Sequence, residues 1–381
     1  GLYDAGTRLL ADAGAITLPV LVLTSGADFV VKQSAQRKFF DGLPNPRNEM
    51  HTFPGFLHDT FNERDNHLPI NKARRFIQDA FGRDIEKPDL KTADADSYTK
   101  SEYDALHRSL PPLSAKRIGY AIATTSMRTV GRLSRGVRIG WKTGFDSGSM
   151  LDYVYRNKAN GITPVGALID RVYLDSPGWR GIRRRKALLE AALHEVINET
   201  QAAGKGARIL DIATGHGRYV LDAIKAHSDK PVTALLRDFS DINVTAGQAM
   251  AREMGLDNVI YAHGDAFDRQ SLTELTERPN ICIVSGLYEL FPENAPIRQS
   301  LAGLADITDP GGYLIYTNQP WHPQLEFIAR VLRSHRDGKA WVMRRRTQQE
   351  MDQLVAEAGF EKIHQAMDED GIFSVSLARK L

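Results

Sequence analysis

The residues 207–219, Ala-Arg-Ile-Leu-Asp-Ile-Ala-Thr-Gly-His-Gly-Arg-Tyr, carry the densest chemical information in this chain. A short apolar strand, Ile209 and Leu210, ends on Asp211 and turns through Gly215 and Gly217 into the helix-like run Tyr219–Ile224. Glycine at such a turn tolerates left-handed backbone and lets a ligand approach the main chain. Strand, glycine turn and helix in that order open a nucleotide-binding α/β sheet, with free N–H groups at the helix start. Three later positions extend the pattern: Asp238 in Leu235-Leu-Arg-Asp-Phe-Ser240, Asp265 in His263-Gly-Asp-Ala-Phe267, and Ser285-Gly286 after Ile281-Cys-Ile-Val284. Asp238 lies about twenty residues beyond Gly217, where a carboxylate reaches ribose hydroxyls. A single aspartate after a strand is ordinarily a turn or helix cap. Four ordered positions at successive strand ends point instead to one crevice, because ligands of open α/β sheets bind outside the carboxyl ends of the strands. A dinucleotide fingerprint would place a third glycine at position 220, which is Val220, and no Gly-Lys-Ser/Thr phosphate loop is present.

On these residues the stretch 200–381 resembles a class I S-adenosylmethionine-dependent methyltransferase. The resemblance implies a Rossmann-like, seven-stranded α/β sheet closed by an antiparallel C-terminal hairpin. The ending Glu350-Met-Asp-Gln-Leu-Val-Ala-Glu-Ala-Gly-Phe360, followed by a strand, suits that hairpin and its last helix. By the same resemblance Asp211, Ala213, Gly215 and Gly217 cradle the methionine part of S-adenosylmethionine, and Asp238 holds the ribose. Asp265 with Ala266 meets the adenine, and Ser285 borders the site. Ala213 stands where many members carry glycine.

Methyl transfer from a sulfonium needs in-line positioning of a nucleophile, helped by a base when the acceptor is a hydroxyl or an acidic carbon. Tyr288 and Glu289, in Ser285-Gly-Leu-Tyr-Glu-Leu-Phe-Pro292, are candidates for acceptor contact; the alternative is a helix start with Tyr288 in the core. His322, in Asn318-Gln-Pro-Trp-His322, is either a base or an exposed loop histidine. No Asn-Pro-Pro-Tyr motif argues for an amine acceptor, and no spacing of acids and histidines suggests a metal. Residues 146–186 are expected to form a lid. Within it Tyr153, Tyr155 or Trp179 wall the acceptor and Arg183–Arg185 meet an anionic group, unless these side chains only dock the segment onto the sheet.

The elements that must position these groups follow from periodicity. Short apolar runs at 208–211, 232–236, 259–263, 281–285 and 313–318 alternate with helical runs, the signature of a parallel, doubly wound sheet. Upstream, residues 116–200 read as a helical, basic cap or lid, and 85–115, polar with Pro88, Pro111 and Pro112, as a linker. Residues 1–84 are α/β, with strands at Leu18–Thr24 and Asn48–Phe53 and a helix near Ile70–Phe81. Residues 16–84 resemble the C-terminal part of an α/β-hydrolase of the serine lysophospholipase or esterase kind. Asp28, in Ser25-Gly-Ala-Asp-Phe-Val-Val31, falls where that family places its triad acid, and His58, in Phe53-Pro-Gly-Phe-Leu-His58, where it places the histidine. The chain order of such triads puts the serine upstream, and no Gly-x-Ser-x-Gly occurs in the 381 residues. The segment is read as the end of a larger hydrolase–methyltransferase fusion, with a docking or dimerisation module as the alternative; either leaves a sheet edge for another element or a second copy to cover.

Composition bounds the rest. A hydrophobic share of 42% with 25% charged residues is that of a globular chain, and a formal charge of +2 gives no reason to expect nucleic acid. The one cysteine, Cys282, sits in an apolar run and is expected to be buried. No apolar stretch approaches the roughly 18 residues of a membrane span, so a cytoplasmic protein is expected. Between Asp104 and Asp146 there is no acidic residue, while Lys116, Arg117, Arg128, Arg132, Arg135, Arg138 and Lys142 alternate with apolar side chains. Such a stretch at 116–142 suits an anionic membrane surface or packing against acidic neighbours. The function expected is methyl transfer to a small or lipid-like acceptor, hydroxyl or carboxyl rather than amine. The alternatives are a membrane- or partner-binding module with a regulatory cofactor site, and esterase activity confined to a longer product.

Overall fold

The computed structural model describes residue 6 and residues 9–83 and 88–381. Two compact units divide at residues 89 and 90. In the first, β1 (Leu21–Ser25) and β2 (Glu49–Phe53) pair in parallel, Leu21 against Glu49 through Ser25 against Phe53. The strand expected from Leu18 starts only at Leu21, after Pro19, which has no N–H to give a ladder. Helices Gln33–Asp41 and His67–Phe81 belong to the same unit.

The second unit holds a seven-stranded sheet of order β5-β4-β3-β6-β7-β9-β8. Its strands are β3 (Ala207–Asp211), β4 (Val232–Asp238), β5 (Val259–His263), β6 (Ile281–Val284), β7 (Tyr313–Asn318), β8 (Phe360–Met367) and β9 (Ser374–Lys380). The first five run parallel, β9 pairs antiparallel with β7, and β8 antiparallel with β9. The strands carry unbroken apolar runs because both faces are covered. Ile209, Ile281, Ile283 and Ile315 face one layer with Leu189, Leu193, Val196 and Ile197 of the helix Pro177–Ala202. Leu210, Cys282, Val284 and Leu314 face the other with Leu301 and Leu304 of the helix Asn294–Ile307. Cys282 is fully buried, and burial pushes its thiol up to about 12. The chain moves outward from β3 to β5, then returns to lay β6 on the other side of β3, so the strand order reverses at the β3/β6 boundary.

Residues 115–202 are helical, as the sequence predicts, and four of these helices start on a serine or threonine that caps them. Ser114, Ser134, Ser147 and Thr163 each accept the N–H three residues on. The linker expected over 85–115 is a correction: residues 84–87 lie outside the described residues, and Tyr98–His107 is a helix capped by Ser97. Asp94 accepts the Asn294 N–H at 2.7 Å and Glu102 binds Arg345, so this segment is part of the second unit. Its proline-rich, polar sequence hides that role because its contacts are polar and remote in sequence. The run Ala340–Arg345 forms no strand beyond a single bridge of Ala340 with Arg333.

Candidate functional site

Four of the expected residues meet directly at the carboxyl ends of β3 and β4. Asp211 is buried, accepts the Tyr219 hydroxyl on Oδ2, and is pushed up to about 7 by burial. The turn that follows has Gly215 at φ 60° and Gly217 at φ 69°, both in the left-handed region. A Cβ on Gly217 would stand 2.7 Å from the Tyr261 hydroxyl and 2.8 Å from Thr214 Oγ1, so only glycine fits. The Gly215 N–H donates to Asp238 Oδ2 at 2.8 Å, and Asp238 Oδ1 accepts Ser240 N–H and Asn243 Nδ2 at 2.9 Å each. Three donors leave a carboxylate with about one lone-pair direction open for a hydroxyl. Asp265 is exposed beyond β5, its Oδ1 accepting the Phe267 N–H at 2.9 Å, and Ala266 beside it is buried. Ser285 and Gly286 follow β6 directly. The Cα of Gly148, first residue of the helix Gly148–Arg156, lies 3.5 Å from where a Gly215 Cβ would sit, so the helical segment closes on the turn. A bare turn between two carboxylates, with a third at the next strand end, fits a nucleoside carrying a zwitterionic side chain.

A mostly apolar cavity of about 430 Å³ is lined in part by Gly286 and by Asp146 and Leu151, which stand either side of Gly148 in the sequence. Trp179 and Trp341 stack in its wall with ring centroids 6.3 Å apart. Arg185, Glu289 and His322 also line it. The expected sites divide accordingly. Glu289 is buried beside Arg185, with Oε1 3.6 Å from Nη1. Tyr288 is a correction: its hydroxyl donates to Ser300 at 2.9 Å within the core beneath β6, away from the cavity. His322 is no exposed loop histidine but 7% exposed, and burial lowers it to about 4. Its Nδ1 accepts the Gln324 N–H at 3.0 Å, so the neutral ring carries its proton on Nε2 and offers the cavity a donor rather than a base.

In the lid, Trp179 lines the cavity, whereas Tyr153 and Tyr155 do not. The Tyr153 hydroxyl donates to buried Asp170, which also takes Ser134 Oγ at 2.5 Å and the Gly136 and Asn160 N–H groups at 2.8 Å. That network stitches the helices together. Of the three arginines, Arg183 donates to the Leu174 carbonyl and Arg184 pairs with Glu369; only Arg185 enters the cavity. Sequence reading misses Trp341 and the pair of His335 with Asp146, whose Nδ1 and Oδ1 are 3.0 Å apart. Trp341 has a faint signal in the apolar run Ala340–Met343, and the pair has none because the tertiary fold joins residues 189 apart.

In the first unit, His58 Nδ1 lies 3.2 Å from both oxygens of Asp28. The Val31 and Val30 N–H groups bind Asp28 Oδ1 at 3.0 and 2.8 Å and, with His58, hold its carboxyl below the usual range. The two residues that the hydrolase resemblance casts as triad acid and histidine therefore stand in contact.

Comparison with known proteins agrees with this division. Residues 1–65 match a hydrolase family described as "Serine aminopeptidase, S33". "Uncharacterized protein YnbC" of Escherichia coli (strain K12) is 47% identical over 378 residues, covering 99% of this chain and 64% of that protein. The chain thus spans under two thirds of that relative's length. A possible exported protein from Bordetella parapertussis shares the fold at TM-score 0.53 and 16% identity, over 76% of this chain and 96% of its own. Magnesium protoporphyrin IX methyltransferase from Synechocystis PCC 6803, solved with SAH, aligns at TM-score 0.43 and 13% identity, over 69% of this chain and 99% of its own. Residues 73–380 match the family described as "Putative methyltransferase", and with four fifths of its length in that match the chain belongs to this methyltransferase family.

Proposed function

We propose that the chain transfers the methyl group of S-adenosylmethionine to a small or lipid-like acceptor bearing a hydroxyl or carboxyl group. The observation that carries this is the Asp211–Gly217 turn, bound to Asp238, with Gly286, which follows the neighbouring strand β6, lining an apolar cavity. Asp211, Ala213, Gly215 and Gly217 hold the methionine end, Asp238 the ribose, Asp265 and Ala266 the adenine, and Ser285 the border toward the acceptor. When bound, the sulfonium supplies an already activated methyl group. The protein's part is to align the acceptor and exclude water. Calorimetry with S-adenosylhomocysteine tests this: micromolar binding is expected, weakened about tenfold or more by Asp238→Ala. No binding, or binding indifferent to that substitution, overturns the reading.

Two further readings rest on separate observations. The Asp28–His58 contact and the hydrolase-family match favour serine esterase activity in a longer product that supplies the nucleophile. A fluorophosphonate probe should label the longer product and not this chain. For partners, the helix Pro164–Leu174 exposes Val165, Leu168 and Val172, and Ile118, Ile122 and Val130 are exposed in the basic stretch. Val130 and Val172 also line the cavity, so an anionic lipid surface would meet its mouth. Among the described residues no helix is long and apolar enough to cross a membrane. Co-sedimentation with phosphatidylglycerol vesicles, lost with Val165→Glu and Leu168→Glu, tests this contact. No co-sedimentation removes it.

A further inference from the structure

Arg185 is 2% exposed, yet its Nε has no hydrogen-bond partner among the described residues. Its guanidinium lies 4.8 Å from the Phe373 ring centroid, and the Glu289 carboxylate is 3.6 Å from Nη1, beyond hydrogen-bonding distance. A buried arginine normally has its fork of donors answered, because an unanswered charge in an apolar interior is costly. Two other polar groups of the wall are also spare donors. Trp341 Nε1 is buried without a partner among the described residues, and the tautomer of His322 points Nε2–H outward from a ring whose Nδ1 is occupied. Around them the wall is apolar. A largely apolar cavity with spare donors in its wall is complementary to an amphiphile with an anionic, acceptor-rich head.

We infer that the methyl acceptor is a hydrophobic carboxylic acid whose carboxylate is held by Arg185 beside Gly286 while its apolar part fills the cavity walled by Trp179 and Trp341. This rests on the methyltransferase reading above. Transfer to a carboxylate oxygen forms an O–CH₃ bond as the donor's C–S bond breaks, its electron pair remaining on sulfur. No proton moves, so no general base is required. The wall agrees with that chemistry. His322 presents a proton, and a proton taken up by Glu289 would strip Arg185 of the carboxylate beside it. A hydroxyl acceptor would need a base from this wall, one of these two or Asp146, whose oxygens already accept Ser334 Oγ and the His335 N–H at 2.6 Å each.

Decanoate and 2-naphthoate, with decanol and 2-naphthol as their uncharged counterparts, test the assignment on the whole chain. Calorimetry in the presence of S-adenosylhomocysteine should show the acids binding, weakened about tenfold or more by Arg185→Met and partly restored by Arg185→Lys. S-adenosylhomocysteine itself should bind all three proteins alike. With S-adenosylmethionine, mass spectrometry should find methyl esters, and the loss in Arg185→Met should fall on KM. If the homocysteine compound binds but neither acid does, or if the alcohols bind better or are turned over to ethers, the carboxylate assignment is overturned and the methyltransferase reading stands. If the homocysteine compound does not bind, the underlying reading fails first. Acid binding unchanged in a folded Arg185→Met protein also overturns the assignment.

Discussion

Two groups of arginines are buried in residues 90–381, and the fold treats them in opposite ways. Arg344 and Arg346 are among the most deeply buried large side chains, and their needs are met within the chain. Arg344 binds Glu350 through both terminal nitrogens at 2.9 Å. Arg346 donates to Asn294 Oδ1 at 2.9 Å and to the Tyr288 and Phe291 carbonyls at 2.7 Å. Of this pair's buried nitrogens, Arg344 Nε is the exception, without a partner among the described residues. Arg185, as buried as these, has a carboxylate beside it at 3.6 Å and an orphaned Nε. The first group is scaffold: it pins the 288–293 backbone that carries Glu289 to the cavity. The second is a demand left for something from outside. Burial alone does not distinguish them; the count of answered donors does.

The sharpest way to break this contrast is to remove the one carboxylate that the scaffold pair shares. Glu350→Ala leaves two buried guanidinium groups uncompensated and is expected to cost about 3–5 kcal/mol in urea unfolding. A loss below about 1 kcal/mol would show the pair to be as idle as Arg185.

Next comes His322, a cavity group defined by burial rather than by a partner charge. Its native pKa of about 4 lies below the ordinary 6.5, so between these values the unfolded chain takes a proton that the native state refuses. Stability is therefore lost as pH falls from 6.5 to 4, by roughly 3 kcal/mol in all at 1.36 kcal/mol per unit. His322→Phe should unfold with a shallower dependence over that window. Identical slopes for the two proteins would refute the assignment.

A smaller loss separates lid stitching from acceptor contact. Tyr153→Phe removes a donor from buried Asp170 and should cost about 1.5–3 kcal/mol while leaving acceptor KM unchanged. A changed KM would return Tyr153 to the acceptor wall.

The smallest effect is expected where the fold has least at stake. Arg185→Met with Glu289→Gln removes both charges of this pair together and should alter stability by no more than about 1 kcal/mol, in either direction. A loss of about 3 kcal/mol or more would make Arg185 scaffold and remove the contrast.

Reading the sequence alone places the glycine turn and its acids at strand ends, where the structure has them, and misses most of the cavity. Asp211, Gly215, Gly217 and Asp238 lie within 28 residues and on strand ends, so local periodicity places them. Tyr288 and Glu289 are neighbours in sequence, yet one enters the core and the other the cavity, because the short helical turn at Tyr288–Leu290 sends them to different sides. Arg183, Arg184 and Arg185 are equivalent as letters, and only the rotation of the helix Pro177–Ala202 against Phe373 selects Arg185. The stretch 88–115 reads as linker because polar and proline-rich composition signals loops, whereas its order comes from Asp94, Thr99 and Glu102 answering Asn294, Arg344 and Arg345.

What the sequence determined by itself is the α/β alternation and the glycine turn with its acids, carried by short-range spacing; Asp28 and His58 are singled out by the resemblance to a hydrolase. Only the tertiary structure decided which lid aromatic lines the cavity, which tautomer His322 presents, and which buried arginine remains unanswered. Each of these depends on side-chain geometry that no local pattern encodes: a hydrogen bond is satisfied or not at the end of folding, when the groups around it have taken their places.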